Sequence, residues 1–170
     1  MTNGTARSLD ALDARIILAL DKDPEASALA LSRTLGVARN TVHARLRRLE
    51  EGGALKSFSR RLDPAALGFG LMAFVSLAIS QTRAGSVEGG LAAIPEVIEV
   101  HATTGDHDLM ARVVARDTAD LYRVTNQLLE IDGIVRTSTA ISVLEIIPAR
   151  FDGLLNRLKD QEQPAGRTGV

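Results

Sequence analysis

The sequence predicts an α+β protein in two parts, an N-terminal helix-turn-helix domain and a C-terminal ferredoxin-like βαββαβ domain. Three observations carry this. Apolar residues repeat at helical spacing through the first third of the chain. From Leu71 the pattern changes to short, nearly continuous apolar runs. Basic residues gather in the stretch 33–61, where eight of them stand against Glu50 and Glu51 for a balance of +6, while the remainder balances at −7. A net charge of −1 over 170 residues thus conceals a basic module beside an acidic one. That is the footprint of a nucleic-acid reader joined to a module that controls it.

A first helix fits residues 9–20, with Leu9, Leu12, Ile16 and Leu20 on one face. Asp10 caps it and Asp13 sits near the positive end of its dipole. Asp23-Pro24 breaks it, and Ser27 caps a second helix running to Leu35. Gly36 follows, where a residue without Cβ takes a positive φ without penalty. A third helix covers residues 39–51. At 100° per residue Val42, Leu46 and Leu49 form a core-facing stripe, and Asn40, His43, Ala44 and Arg47 fall opposite. Arg39 opens this helix, Thr41 follows Asn40, and Arg48 flanks the polar face.

Asn pairs bidentately with adenine and Arg with guanine, while a small Ala lets a helix approach the bases. A surface face usually mixes signs, and this one carries no acid until Glu50. Arg39, Asn40, Thr41, His43, Ala44, Arg47 and Arg48 are therefore the candidate contacts to double-stranded DNA. Arg45 and Arg48 also suit phosphates or internal ion pairs. Gly52-Gly53 ends the helix, and residues 55–62 read as a short strand or extended hinge before Asp63-Pro64.

In the second part, residues 71–79 form a strand apolar on both sides. A helix at 86–93, a strand at 97–103, a turn at 105–108 and a strand at 109–115 follow. Asp117 caps a helix with Leu121, Val124 and Leu128 on one face, and Gly133 turns the chain into a last strand expected at 137–147. Two helices cover one face of a four-stranded sheet. The other face needs a cover, and a second copy of the same sheet is the simplest, so a homodimer is expected. Beyond the sheet, Phe151, Leu154, Leu155 and Leu158 suit a short packing helix, and the last ten residues look loose. The expected division is a tail at 1–8, the DNA-binding domain at 9–56, a linker at 57–70, the ferredoxin-like assembly domain at 71–148 and an extension at 149–170.

Absence of cysteine fits a reducing cytoplasm, and Met1 is followed by no charged-then-apolar leader. The longest apolar run is too short for a bilayer, which needs about 20 residues, so no membrane partner is expected. His101 and His107 with Asp106 and Asp108 lack metal-ligand spacing. No paired carboxylates, nucleophile triad or phosphate-cradling glycine loop is visible, so neither catalysis nor a cofactor is expected. The alternative kept open is an enzyme on the same scaffold, similar in architecture to tetrapyrrole decarboxylases. A metabolite sensor acting through protein partners is a third, but it leaves the basic helix without a purpose.

Residues 9–147 resemble the Lrp/AsnC, or feast/famine, family of transcriptional regulators. The likeness lies in Leu9-Asp10 and Asp13 with Ile16-Ile17 and Leu20, then Leu35-Gly36-Val37, Thr41-Val42, Arg45-Leu46 and Leu49-Glu50. It continues through Leu62-Asp63-Pro64 with Leu67-Gly68, Gly105-Asp106 with Asp108, Gly133-Ile134-Val135, and Arg136-Thr137 with Thr139. The resemblance implies a sensing domain of the type called RAM, dimers that assemble into octamers, and transcription controlled by a small effector, commonly an amino acid. It also implies an effector site between dimers, here Gly105, Asp106, His107, Asp108, Thr137 and Thr139. The chain departs from the family pattern at Ala38, where a capping Ser is usual, at Ala30, where an acid is usual, at Ser32, where Ala is common, and at His107.

Overall fold

In the computed structural model, which describes residues 8–80 and 84–161, Asp10 starts the first helix, α1 (Ala11–Lys22). Its carboxylate accepts the Asp13 N–H at 3.0 Å, and the Asp13 carboxylate accepts the Asp10 N–H at 3.1 Å, a reciprocal cap. Helix α1 therefore begins two residues later than expected from Leu9, because Asp10 itself is extended. In α2 (Ala28–Leu35), Ser27 Oγ accepts from the Ala30 N–H at 3.2 Å, and Ala30 has no side chain with which to return the bond. The helix ends at Gly36, whose φ of +68° permits the tight turn into α3 (Arg39–Glu51). Ala38, at the start of α3, makes no side-chain cap. Ala14, Ile16, Leu31, Val42 and Leu49 form the buried core of this unit, and Leu46 is half-buried.

Of the short strand or extended hinge expected over residues 55–62, no strand forms. Phe58–Arg61 makes a single 3-10 turn, and the Arg61 guanidinium lies 4.9 Å over the Phe58 ring. Among the described residues the segment joins no ladder, and a local turn, with the Arg60 N–H on the Ser57 carbonyl, pairs part of its backbone instead.

The second unit holds β1 (Leu71–Ile79), α4 (Ala84–Ala92), β2 (Val97–Ala102), β3 (Leu109–Ala115), α5 (Thr118–Glu130) and β4 (Ile134–Ser142). Its sheet order, β2-β3-β1-β4 with every pair antiparallel, is that of a ferredoxin-like domain. Ala73, Val75 and Leu77 point to one face and are buried with Val87 and Leu91 of α4 and Leu121, Val124 and Leu128 of α5. The alternate residues Met72, Phe74, Ser76 and Ala78 point to the other face, where Phe74 remains 40% exposed. The last strand starts and stops earlier than expected. Gly133, at φ +103°, turns the chain directly into it, and Met72↔Ser142 ends its register with β1. Val143, Leu144 and Ile146 beyond that pair are highly exposed.

The C-terminal segment contains α6 (Asp152–Asp160), which belongs to the first unit and packs on α1 through the buried Leu155. The chain thus divides into Met1–Arg61 with Ile147–Val170, and Leu62–Ile146. Phe151 and Leu154, expected to pack as well, stay largely exposed. Most of the terminal segment expected to be loose lies outside the described residues. Among the described residues no helix is long and apolar enough to cross a membrane.

Candidate DNA-binding surface and effector site

Helix α3 divides its side chains as its 3.6-residue period requires. Val42 and Leu49 are fully buried, while Arg39, Asn40, His43, Ala44 and Arg47 are exposed and share the opposite side. Thr41 lies half-buried at the edge of that strip. Asn40, His43, Ala44 and Arg47 thus present an amide, an imidazole, a methyl group and a guanidinium along about two turns, the donor and size pattern that a major groove accepts. The Arg47 Nε–H donates to Glu51 Oε1 at 2.7 Å, one turn on.

The other two central arginines turn inward. Arg45 Nη1 bonds Asp10 and, at 3.1 Å, Asp13; Arg48 Nη2 bonds Asp13 and lies 3.7 Å from Asp10. The Asp13 side chain is wholly buried. Burial works to raise the Asp10 pKa, but the hydrogen bond from Arg45, the Asp13 N–H and the two nearby guanidinium charges outweigh it. The carboxyl is held below its ordinary value. The bond to Asp10 likewise leads in raising Arg45. Arg48, a candidate DNA contact by sequence, is therefore engaged by the buried Asp13 while its own side chain stays 37% exposed. Sequence reasoning allowed internal pairs for Arg45 and Arg48 but missed their partners. The signal was available, since Asp10 and Asp13 share the three-residue spacing of Arg45 and Arg48, one face of each helix.

In the second unit the turn at residues 105–108 is fastened to the end of β1. The Asp108 N–H donates to the Leu77 carbonyl at 3.0 Å, and Asp108 Oδ2 accepts the Ile79 N–H at 2.8 Å. Thr103 N–H donates to the Asp108 carbonyl at 2.9 Å and Thr103 Oγ1 to the His107 carbonyl at 2.9 Å. Gly105, at φ +112°, supplies the left-handed residue that this turn needs. On the other side of β1, Thr137 is the register partner of Leu77 and Thr139 of Val75. The turn and the threonine pair thus flank the same end of one strand. Gly105, Asp106 and Thr139 are exposed, and His107, Asp108 and Thr137 half-buried. One Asp108 oxygen is committed to the strand edge, which leaves Asp106 as the freer acid.

His101 makes no metal cluster with the turn. Its Nε2 lies 3.1 Å from Glu99, whose other oxygen accepts from Arg112 Nη1 at 2.8 Å. Among the described residues no group of three or more metal-ligating side chains converges.

Residues 9–50 match the AsnC-type helix-turn-helix domain, and residues 72–150 match the Lrp/AsnC ligand binding domain. The HTH-type transcriptional regulator AldR of Mycolicibacterium smegmatis is 37% identical, over 80% of this chain and 82% of its own. The HTH-type transcriptional regulator FL11 of Pyrococcus horikoshii is 34% identical, over 78% of this chain and 88% of its own. Escherichia coli AsnC superposes with a TM-score of 0.76 at 26% identity, covering 85% of this chain and 99% of that one. A transcriptional regulator of Neisseria meningitidis, solved as its L-Met complex, shares the fold with a TM-score of 0.72 at 22% identity, covering 86% of this chain and 99% of that one. These relatives are regulators and not enzymes. With its helix-turn-helix followed by a ligand-binding ferredoxin-like sheet, the chain belongs to the Lrp/AsnC family of DNA-binding transcriptional regulators.

Proposed function

We propose that this regulator reads base edges through Asn40, His43, Ala44 and Arg47, with Arg39 and Thr41 on flanking phosphates. The observation that carries this is the division of α3, with Val42 and Leu49 sealed in the core while those four side chains face out on the same helix. Fluorescence anisotropy with duplexes from the chain's own upstream region tests it. Binding that weakens steeply with salt, and that loses roughly 5- to 150-fold on Arg47→Ala with relaxed base preference, is expected. No binding at low salt refutes it.

The effector of this reading is an amino acid held by the 105–108 turn and the Thr137–Thr139 strand. Asp106 receives its ammonium group, and the threonine hydroxyls with backbone N–H groups receive its carboxylate. The L-Met complex of the Neisseria relative supports that ligand class. Two copies join through the sheet face that bears Met72 and Phe74, so that two α3 helices meet half-sites about 34 Å apart, and dimers assemble further toward an octamer. A DNA partner and a sequence without cysteine support a cytoplasmic setting. Thermal-shift screening against the common amino acids is expected to raise the melting temperature for at least one. No rise with any of them refutes the effector class, and a stable monomer at micromolar concentration in sedimentation refutes the dimer.

A further inference from the structure

Arg47 and Glu51 are both exposed, at 79% and 63%, yet they are joined by one well-formed bond of 2.7 Å from Arg47 Nε to Glu51 Oε1. We propose that Glu51 is a positioning residue that holds the Arg47 guanidinium edge-on toward guanine and so sets sequence specificity. This rests on the reading above, in which α3 meets base edges.

As a helix-stabilising pair the two residues are in the weaker order. A carboxylate four residues before a cation helps a helix more than the reverse, and here the cation comes first. Glu51 is also the last residue of α3, where the negative end of the helix dipole disfavours a carboxylate. Near DNA it faces phosphate repulsion as well. Two electrostatic terms therefore oppose an acid at this position, the pair itself is in its weaker order, and among the described residues the side-chain contact of Glu51 is the one to Arg47.

That contact fits the chemistry of base reading. Guanine presents O6 and N7 side by side and accepts two parallel donors from one guanidinium. With Nε engaged by Glu51, Arg47 keeps both terminal amines for that purpose, and among the described residues no other bond of Arg47 is recorded. A free arginine of such exposure samples many rotamers and follows any nearby phosphate. One tethered at Nε keeps its plane, and the tethering carboxylate repels every duplex, a cost that the guanine contact offsets only where guanine is present. Neighbouring arginines do not replace it, since Arg45 and Arg48 are closed by Asp10 and Asp13. Glu51 thereby acts on specific and non-specific binding in opposite directions.

The test is selection from a random duplex library by the full chain, followed by anisotropy on the selected duplex and on a scrambled one of equal length. The wild type is expected to enrich guanine at one position of each half-site. Glu51→Ala is expected to bind the selected duplex more weakly and the scrambled duplex more tightly, lowering their ratio about tenfold. Glu51→Gln keeps an acceptor oxygen at the same reach and retains most of the ratio. In an Arg47→Ala background, Glu51→Ala no longer changes the guanine preference.

Tighter binding of Glu51→Ala to both duplexes by one factor overturns the proposal, since the carboxylate then acts only as a repelling charge. An unchanged ratio, or an effect on guanine preference that persists without Arg47, overturns it equally. Failure of the wild type to bind any duplex at low salt is a different result, and it removes the DNA reading itself.

Discussion

Asp13→Ala is expected to be among the most damaging single substitutions in the first unit. Its side chain is 0% exposed and accepts from Arg45 Nη1 at 3.1 Å, from Arg48 Nη2, and from the Asp10 N–H at 3.1 Å. Removing one member of a buried ion cluster costs about 3–5 kcal/mol, because the opposite charges remain without their partner. Here the lower end applies. Arg45 and Arg48 keep 25% and 37% exposure and retain Asp10, so water and one carboxylate recover part of the loss. About 3 kcal/mol is then expected, and for a unit of this size each kcal/mol moves the melting temperature by about 4–8 °C. A fall of more than 10 °C in the transition of the first unit should follow, read by far-UV circular dichroism with the α3 amides followed by hydrogen exchange. Asp21→Ala, on the exposed side of α1, is the control and should move it by less than about 4 °C. If Asp13→Ala behaves like that control, the ion cluster does not hold α3 on α1 and the inference from burial to stability fails.

Adjacent glycines in α4 should respond with opposite signs. A Cβ at Gly90 would stand 2.6 Å from Ile131 Cγ2, on a stiff β-branched side chain, so Gly90→Ala should destabilise by about 1 kcal/mol despite better helix propensity. Gly89 has open space, and Gly89→Ala should stabilise by about 0.5–1 kcal/mol; urea denaturation distinguishes the two. Acid should unfold both units. Asp10 is held below its ordinary 3.8, and Glu99 below 4.5 chiefly through its hydrogen bond from Arg112. Hydrogen bonds from Arg116, with help from Arg123, hold Asp120 far lower still. Groups depressed in the folded state contribute stability that is complete above their unfolded values and is lost as pH falls through the folded ones. Melting temperature should therefore hold from pH 7 to about 5 and drop below about 4; a flat profile down to pH 3 contradicts this.

The division of α3 into core and outward faces was legible because a 3.6-residue period is written directly in Val42, Leu49, Asn40, His43 and Arg47. Caps at Asp10, Ser27 and Asp117 and the turn at Gly36 were legible for the same local reason. The register of the sheet was not. Where β4 stops depends on where β1 begins, a relation between residues about 70 positions apart, and an apolar run through Ile146 and Ile147 reads as strand whether or not a neighbour is there. Residues 55–62 failed for a similar reason, since strand propensity needs a partner strand to be realised. The C-terminal helix was anticipated from Phe151, Leu154, Leu155 and Leu158, but its docking on α1 lies in tertiary packing that no local pattern records. At the effector site, the turn residues announced themselves by type, whereas the sharing of the β1 end by Asp108 and Thr137 emerges only from the strand order.

The charge balance of the basic segment overstates what α3 offers to DNA, and salt dependence exposes the difference. Four guanidiniums lie on this helix, at Arg39, Arg45, Arg47 and Arg48, and if each met a phosphate they would contribute a slope of about −3.6 in log K against log salt. Asp10 and Asp13 close two of them and Arg47 meets a base edge, so about −0.9 per bound helix is expected from α3, supplied by Arg39. Arg39→Gln should lower the slope by about 0.9 for each bound helix. Arg48→Gln should lower folding stability while leaving the slope of the folded protein unchanged, because its charge already faces Asp13. Equal slope losses from the two substitutions would mean that Arg48 leaves Asp13 when DNA arrives, and the ion cluster would then be part of the binding event instead of the frame that holds the reading helix. A slope unmoved by Arg48→Gln makes Asp10 and Asp13 the reason that a helix with four arginines reads DNA with two.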